Sequence, residues 1–506
     1  MRAQYATRVV AMSVLGLTYA APVFAARNVL LVILDDVGVQ EIRSYARDMA
    51  ASVKSTNGSS GIVDTDANGI PDGLEDDNND GQPDGSIATP TVDSLAAAGV
   101  RFTNVWSNPS CSPTRAGIYT GRYAIHHGIG MPMGGSSTLW QIPQDIQTLA
   151  EIVPNASYAK GLFGKWHLGE DANELPTNRG WNYFSGSLGG QVSNYYSWDK
   201  VVVNESGVRT DKLDTEYVTT AAVEDALEWI DRQTKPWWAT VALNAAHTPY
   251  SEPPSYCLSG SITGTTNSAL YHKTLECADY HIGTLLSAID PAVLANTTVV
   301  FVGDNGTEGA VSQVYASAQS KASTYQGGVH VPMIVADGAA LLGQVGTGTG
   351  AVTSVGRTVS HITNTVDIFS SLGEIMGVST TSTDAVSFVD YLTSTTAAAK
   401  RTYNYTDTFS YSSAAVTSLK NSLSDPSALT TANVATLTRT AVKAGIRGTK
   451  YKLVYVNNTY KLFDLEADPF EQVNKWCASA TYKSQGQTLV TALRAIDSNY
   501  PSKRCQ

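Results

Sequence analysis

Seven consecutive residues, Asn28-Val29-Leu30-Leu31-Val32-Ile33-Leu34, carry no polar side chain after the first and then stop at two aspartates. A strand with one wet face alternates apolar and polar residues. An unbroken run of this length has both faces covered, which is the condition of a strand inside a parallel sheet. Three further runs share the character: Trp237–Asn244, Thr297–Val302 and His330–Ala336. Helix-like stretches such as Thr91–Ala98 and Thr219–Arg232 lie between them. The alternation predicts an α/β fold, a large mixed, mostly parallel sheet flanked by helices. From about Tyr403 the sequence turns rich in Ser, Thr and Ala, then passes through Tyr451–Val456 and Tyr460–Phe463, separated by Asn457-Asn458-Thr459. That hairpin signal predicts a smaller antiparallel α+β subdomain over 401–506, after a main domain over 26–400.

Hydrophobic residues make up 42% of the chain and charged ones 16%, a balance that excludes a disordered protein. The net charge of −11 argues against nucleic acid as a partner, since phosphate binding needs a basic face. Arg2 and Arg8 precede the apolar stretch Val9–Leu17, and Val23-Phe24-Ala25 follows. A charged start, a short apolar core and a small-residue cleavage site predict a signal peptide over 1–25 and an exported protein, periplasmic or secreted. No other segment reaches the roughly 18 apolar residues of a membrane span. An exported chain favours disulfides, and Cys257–Cys277 and Cys477–Cys505 are the sequence-near pairings, although spacing alone does not fix connectivity. Cys111 is left over.

Residues 64–85 form an insert with eight acidic side chains and no basic one. Asp64, Asp66, Asn68, Ile70 (through its carbonyl), Asp72 and Glu75 follow the order of an EF-hand-type calcium loop, with Gly69 at the sharp turn. Asp76, Asn78, Asp80, Gln82 and Asp84 offer a second set of alternating oxygen donors. Without a cation these carboxylates would repel, so a structural Ca²⁺ is expected here; a solvated acidic loop is the plainer alternative. The flanking helices of a true EF-hand are missing, which makes the insert more similar to thrombospondin- or dockerin-like calcium loops.

In open α/β sheets ligands bind beyond the carboxyl ends of the strands. Here one run ends in Asp35-Asp36-Val37-Gly38 and another in Gly303-Asp304-Asn305-Gly306. Three carboxylates and an amide suit a hard divalent cation, Ca²⁺ in preference to Mg²⁺, and not zinc. Asn305-Gly306-Thr307 also matches a glycosylation sequon, read here as fortuitous. Cys111-Ser112-Pro113-Thr114-Arg115, Thr120-Gly121-Arg122, Gly164-Lys165-Trp166-His167-Leu168-Gly169, Ala246-His247-Thr248-Pro249, and Lys321 ahead of Tyr325-Gln326-Gly327-Gly328-Val329 complete the set. A cation, two lysines, an arginine and two histidines in one pocket would hold a tetrahedral oxyanion and move a proton. Taken singly, each lysine could be a surface charge, each histidine a satisfied loop residue and Cys111 a buried inert thiol.

Together these motifs resemble the type I sulfatases of the alkaline phosphatase superfamily, from Asn28 to about Asn474. The Cys111-x-Pro113-x-Arg115 and Thr120-Gly121-Arg122 pair is similar to that family's signature. Thr89–Ala96 with Gly99-Val100-Arg101-Phe102 resembles its first helix region, and Leu453–Val456 with Leu462–Pro469 its C-terminal subdomain. The stretch from Pro176 through Gly189-Gly190 to Tyr195-Tyr196 resembles the arylsulfatase B-like branch. The resemblance implies oxidation of Cys111 to Cα-formylglycine by a formylglycine-generating enzyme, and one Ca²⁺ held by Asp35, Asp36, Asp304, Asn305 and residue 111. It also implies the roles. Arg115 and Lys165 would hold the formylglycine, His167 would take the proton that triggers sulfate release, and Lys321 and His247 would bind the sulfate oxygens, Lys165 beside them. The expected activity is hydrolysis of sulfate esters, on a sulfated small molecule or carbohydrate. The chain departs from the pattern at Ile118-Tyr119, and at Gln326 and His330, where Glu and Arg are common. Trp181, Tyr183, Tyr195, Tyr196 and Trp198 are candidates for stacking on a sugar or aryl ring. Two other readings stand beside this one: a phosphonate monoester or phosphodiester hydrolase of the same superfamily, and an inactive calcium-binding relative.

Overall fold

The computed structural model describes residues 27–502 apart from 53–61, 63–70, 77–82, 84, 172 and 345–351. The expected signal peptide therefore lies outside the described residues. So do Asp64, Asp66, Asn68, Ile70, Asn78, Asp80, Gln82 and Asp84 of the insert, and Cys505 of the second expected disulfide.

The strands in chain order are β1 (Asn28–Leu34), β2 (Gly99–Phe102), β3 (Val105–Trp106), β4 (Ala159–Lys165), β5 (Tyr183–Ser187), β6 (Trp198–Val203), β7 (Arg209–Asp214), β8 (Trp237–Ala242), β9 (Thr297–Gly303), β10 (Met333–Asp337), β11 (Arg357–Val359), β12 (Thr363–Asn364), β13 (Asn404–Tyr411), β14 (Arg439–Arg447), β15 (Tyr451–Val456) and β16 (Thr459–Asp464). Ten of them form one sheet in the order β11-β2-β10-β9-β1-β8-β4-β5-β6-β7. The central strands β9, β1, β8, β4 and β5 run parallel. β10 is antiparallel to both of its neighbours. The run His330–Ala336 thus gives an antiparallel strand that starts later than the sequence predicts. Its first residues serve the site instead: the backbone N–H of His330 and of Val331 bond to Gln326 and Val105.

The unbroken apolar run of β1 has the predicted cause. Val29, Leu31 and Ile33 enter one core while Leu30, Val32 and Leu34 enter the core on the opposite face. β9 repeats the division, with Val300 and Val302 on one side and Val299 and Phe301 on the other. Each such side chain contributes about 1.5–3 kcal/mol of burial, so the centre of the sheet is firmly held. The site is built on its ends.

The expected hairpin forms as β15 and β16, paired antiparallel from Tyr451↔Asp464 to Val456↔Thr459. With β13 and β14 it makes a separate four-stranded sheet, order β13-β14-β15-β16, against which helix Ala480–Ile496 packs. Cys257 and Cys277 form a disulfide across 20 residues, as their spacing allowed. Closing a loop of that size is worth about 3 kcal/mol, so Cys257→Ser should lower the free energy of unfolding by that amount in a denaturant titration. Among the described residues no helix is long and apolar enough to cross a membrane.

Candidate active site

Four neighbouring strands deliver the predicted residues to one place. Asp35 and Asp36 leave the end of β1, Asp304 and Asn305 the end of β9, Lys165 and His167 the end of β4, and His247 the turn beyond β8. Cys111 opens helix Cys111–Thr120, with Ser110 at its N-cap, and the helix points this residue at the strand ends. The helix stops at Gly121, which takes a left-handed φ of 66°, and a Cβ there would meet the Phe369 ring at 2.5 Å. That is the physical content of Thr120-Gly121-Arg122: only glycine both turns the chain and admits the ring.

Each of the three carboxylates faces at least one cation. Arg115, wholly buried, donates from Nε and Nη2 to Asp304 Oδ2 at 3.0 and 2.9 Å, and from Nη1 to the Lys165 carbonyl at 2.9 Å. Lys165 donates to Asp35 Oδ2, and Lys321 to Asp36 Oδ2 at 2.7 Å. His247 Nε2 lies 3.7 Å from the same Asp36 oxygen. Asn305 Nδ2 donates to Asp36 Oδ1 at 2.8 Å. Burial alone would raise the Asp35 carboxyl, but Lys165, His247, Arg115 and Lys321 outweigh it and hold it below the usual carboxylate range. Burial, and then the like charge of Asp35, push Asp304 well upward against the pull of Arg115.

Two oxygens in this network have no partner. Asp35 Oδ1 and Asn305 Oδ1 are buried and accept no hydrogen bond. Leaving such acceptors dry costs about 1–3 kcal/mol each, and a cation is what two hard oxygens beside further carboxylates would satisfy. Ligand atoms of Asp35, Cys111 and Asp304 lie within 4.8 Å of one another, and so do those of Asp35, Asp36 and His247. The donor set is oxygen-rich, which fits Ca²⁺. Asp72, Glu75 and Asp76 are the described acidic members of the insert; Asp72 starts a 3₁₀ turn, Asp72–Leu74.

The histidines differ in what they can do. His167 Nε2 lies 3.1 Å from the Met133 carbonyl, and its Nδ1 is buried without a partner. Donation to that carbonyl leaves the lone pair on Nδ1. Burial, then the neighbouring Lys165, lower its pKa to about 3, so the ring is neutral near pH 7. His247 Nδ1 is 2.7 Å from the Thr248 carbonyl, which turns Nε2 toward Asp36. Its backbone is fixed by Tyr195, whose hydroxyl donates to the carbonyls of Asn244 and His247 at 2.8 and 2.6 Å. Asp36, His167 and Ala322 all have positive φ, 62°, 57° and 68°. Left-handed non-glycine residues cost on the order of 1 kcal/mol or more and persist where surroundings impose them; here all three adjoin the site.

A cleft of about 830 Å³ opens over these groups, lined among others by Cys111, His167, His247 and Lys321. Of the aromatic residues expected near it, Trp181, Tyr195 and Trp198 are buried, and Trp181 packs on Tyr119, Trp166 and Trp238. Tyr183 is half-buried beneath Arg232. Tyr196 alone of the five is exposed, at 39%. Asn305 and Thr307 are wholly buried, so the sequon is unavailable to a glycan. Sequence reasoning missed the layer beneath Asp36. Thr307 Oγ1 receives the Gly38 N–H and donates to Glu41, which His272 approaches at 3.1 Å. The polar pair Gln40-Glu41 right after the aspartates was the available signal.

The chain that carries these strand ends, carboxylates and helix-borne cysteine belongs to the sulfatase family: the family model Sulfatase matches residues 27–378. Among curated proteins it is 29% identical to mouse (Mus musculus) arylsulfatase J over 49% of this chain and 45% of that one. It is also 29% identical to human (Homo sapiens) N-acetylgalactosamine-6-sulfatase over 50% and 52%. The chain spans about half the length of the curated relatives it matches. Among solved structures, Ps i-CgsB in complex with k-i-k-neocarrahexaose superposes with a TM-score of 0.65 at 19% identity, covering 94% of each chain. PsFucS1 sulfatase from Pseudoalteromonas sp. gives 0.66 at 18% identity, covering 95% of this chain and 92% of that one. A structure holding its substrate D-glucosamine-2-N,6-O-disulfate gives 0.62 at 17% identity, covering 95% and 100%.

Proposed function

We propose that this protein hydrolyses sulfate esters with release of inorganic sulfate, using a Ca²⁺ at Asp35, Asp36, Asp304 and Asn305 and a Cα-formylglycine made from Cys111 by a formylglycine-generating enzyme. The observation that carries the reading is the approach of Cys111, Asp35 and Asp304 within 4.8 Å, with two unpartnered oxygens alongside. The cation would polarise sulfate oxygens and lower the pKa of a hydroxyl, and the formylglycine would supply that hydroxyl and expel sulfate by returning to the aldehyde.

The chain's own residues do the rest. Arg115 and Lys165, locked onto Asp304 and Asp35, fix the position of residue 111. Lys321 and His247 converge on Asp36 from the cleft side, where they can bind sulfate oxygens and protonate the departing alcohol oxygen. Neutral His167, which lines the cleft and has an unpartnered Nδ1, can accept the proton that accompanies sulfate release. Lys321→Ala should lower kcat/KM on an aryl sulfate by about 10²–10³, the usual cost of one such donor, in initial-rate assays.

A sulfated carbohydrate is the substrate class this reading favours. Tyr196 offers an exposed ring, and similar folds are solved with D-glucosamine-2-N,6-O-disulfate and with k-i-k-neocarrahexaose. The protein would be exported after loss of residues 1–25, which the Cys257–Cys277 disulfide supports. Residues 26–400 would form the catalytic domain, with a structural Ca²⁺ in the insert 64–85, and 401–506 the smaller subdomain. The test is the mass of the peptide carrying Cys111 in protein made with its maturation enzyme, paired with sulfate release from an aryl sulfate. Formylglycine with turnover is expected; an unmodified thiol in protein from the native host overturns the reading.

A further inference from the structure

One short helix, Gln326–Val329, touches the site from behind at several points. The carbonyl of Gly328 accepts the N–H of Gly306, the residue after Asn305, at 3.0 Å. The approach is so close that a Cβ on Gly306 would lie 1.9 Å from the Gly327 carbonyl. The Val329 carbonyl accepts the Ser107 N–H at 2.9 Å, at the start of the loop that leads to Cys111. Upstream on the same segment, Ala322 donates to the Pro109 carbonyl at 2.7 Å and Lys321 donates its N–H to Thr307 at 3.0 Å. Whatever fixes this helix therefore fixes Lys321 relative to residue 111 and the carboxylates.

What meets its first N–H is a carboxylate from the C-terminal part of the chain. Glu471 Oε2 accepts the Gln326 N–H at 2.5 Å, while the Gln326 side chain accepts the Trp106 indole N–H at 2.9 Å. Glu471 Oε1 lies 2.8 Å from Lys452 Nζ of β15, and both side chains are wholly buried. The Lys452 ammonium sits 4.6 Å from the centre of the Trp106 ring. A buried ion pair is a poor source of stability: apolar residues of the same volume often do as well, while removing one partner leaves a costly bare charge. Its use is better sought in geometry. The neutral Gln326, where Glu is common in the family pattern, also keeps a second carboxylate away from Glu471.

Resting on the sulfatase reading above, we propose that Glu471, held in place by Lys452, is a positioning residue for Lys321: it pins the start of helix Gln326–Val329 and so sets where the Lys321 ammonium meets the sulfate group. The small C-terminal sheet thus shapes the site without touching substrate.

The experiment compares E471L/K452M, which removes acceptor and charges together, with E471Q/K452M, which keeps an acceptor oxygen for the Gln326 N–H. Thermal melts should place both close to wild type. In full-length protein carrying formylglycine and calcium, E471L/K452M should lower kcat/KM on an aryl sulfate by about 10²-fold, the cost of a displacement near 1 Å, while E471Q/K452M restores most of it. Inorganic sulfate, titrated calorimetrically, should bind more weakly to E471L/K452M, and this reads the pair without turnover. Introducing K321A should erase both differences between the two pairs. Wild-type sulfate affinity and kcat/KM in E471L/K452M overturn the proposal, and so does an unchanged difference in the K321A background. Wild-type protein that carries formylglycine yet hydrolyses no sulfate ester overturns the sulfatase reading instead, and the sulfate titration still judges the pair.

Discussion

Cys111→Ala is expected to abolish sulfate release, by a factor on the order of 10⁶, the loss seen when a covalent nucleophile is deleted, while the protein melts within a few degrees of wild type. The two halves of this expectation have separate causes. Position 111 is 2% exposed and opens a helix whose register is set by other residues. Thr114 Oγ1 bonds to the Ser110 and Asn108 carbonyls, and Ser112 Oγ donates to the His167 carbonyl at 2.9 Å. Alanine keeps the backbone and removes one heavy atom, so the fold loses little. On the proposed reading the chemistry would lose everything that depends on an atom beyond Cβ of residue 111, which lies with Asp35 and Asp304 and lines the cleft. Initial rates on an aryl sulfate and a thermal melt decide it. Wild-type turnover in Cys111→Ala would remove this residue from the mechanism.

The β1 run was legible from its sequence because its burial is imposed by the sheet on both faces, and such burial leaves no polar residue to blur the pattern. His330–Ala336 was half legible. Its apolar character reports burial, but strand direction is decided by the connection through Lys321 and the Gln326–Val329 helix, which local pattern does not encode. The convergence of Asp35, Asp36, Lys165, His167, Asp304 and Asn305 was legible because each strand end places its polar group where the run stops. Thr307, Tyr195, and the Lys452–Glu471 pair were not, for a shared reason: they act through contacts across long sequence separations, and in the sequence an isolated glutamate or tyrosine is the same letter whether it is exposed or buried behind a site. The aromatic cluster misled in the opposite sense. Trp181 and Trp198 are large because they fill the core, Tyr183 is half-buried, and of the five only Tyr196 is exposed.

Calcium should raise the melting temperature of the wild-type protein and chelation should lower it, and Asp304→Asn should lose both most of that response and at least about 10³ in turnover. The cause is the charge arrangement. Asp35, Asp36 and Asp304 face Lys165, Lys321 and Arg115 in three ion pairs, so the site as it stands is close to electrically neutral and has no surplus with which to hold an anion. Lys321 in particular is committed to Asp36 at 2.7 Å. It becomes free to bind a sulfate oxygen only when Asp36 is satisfied by another positive charge. Inorganic sulfate should therefore bind in the presence of calcium and bind far more weakly after chelation, which calorimetry can measure on one preparation. A ligand at a hundredfold excess over its Kd stabilises the native state by about 2.7 kcal/mol, enough to register clearly in a melt. Asp304→Asn keeps an acceptor for Arg115 but removes one negative charge from the set, so the cation response of this site should fall. Any calcium response that survives in the variant then belongs elsewhere, with the acidic insert as the first place to look. A wild-type protein whose melting point and sulfate affinity ignore both calcium and chelator would leave the unpartnered Asp35 and Asn305 oxygens without the cation argued for them, and the charge argument would fail with it.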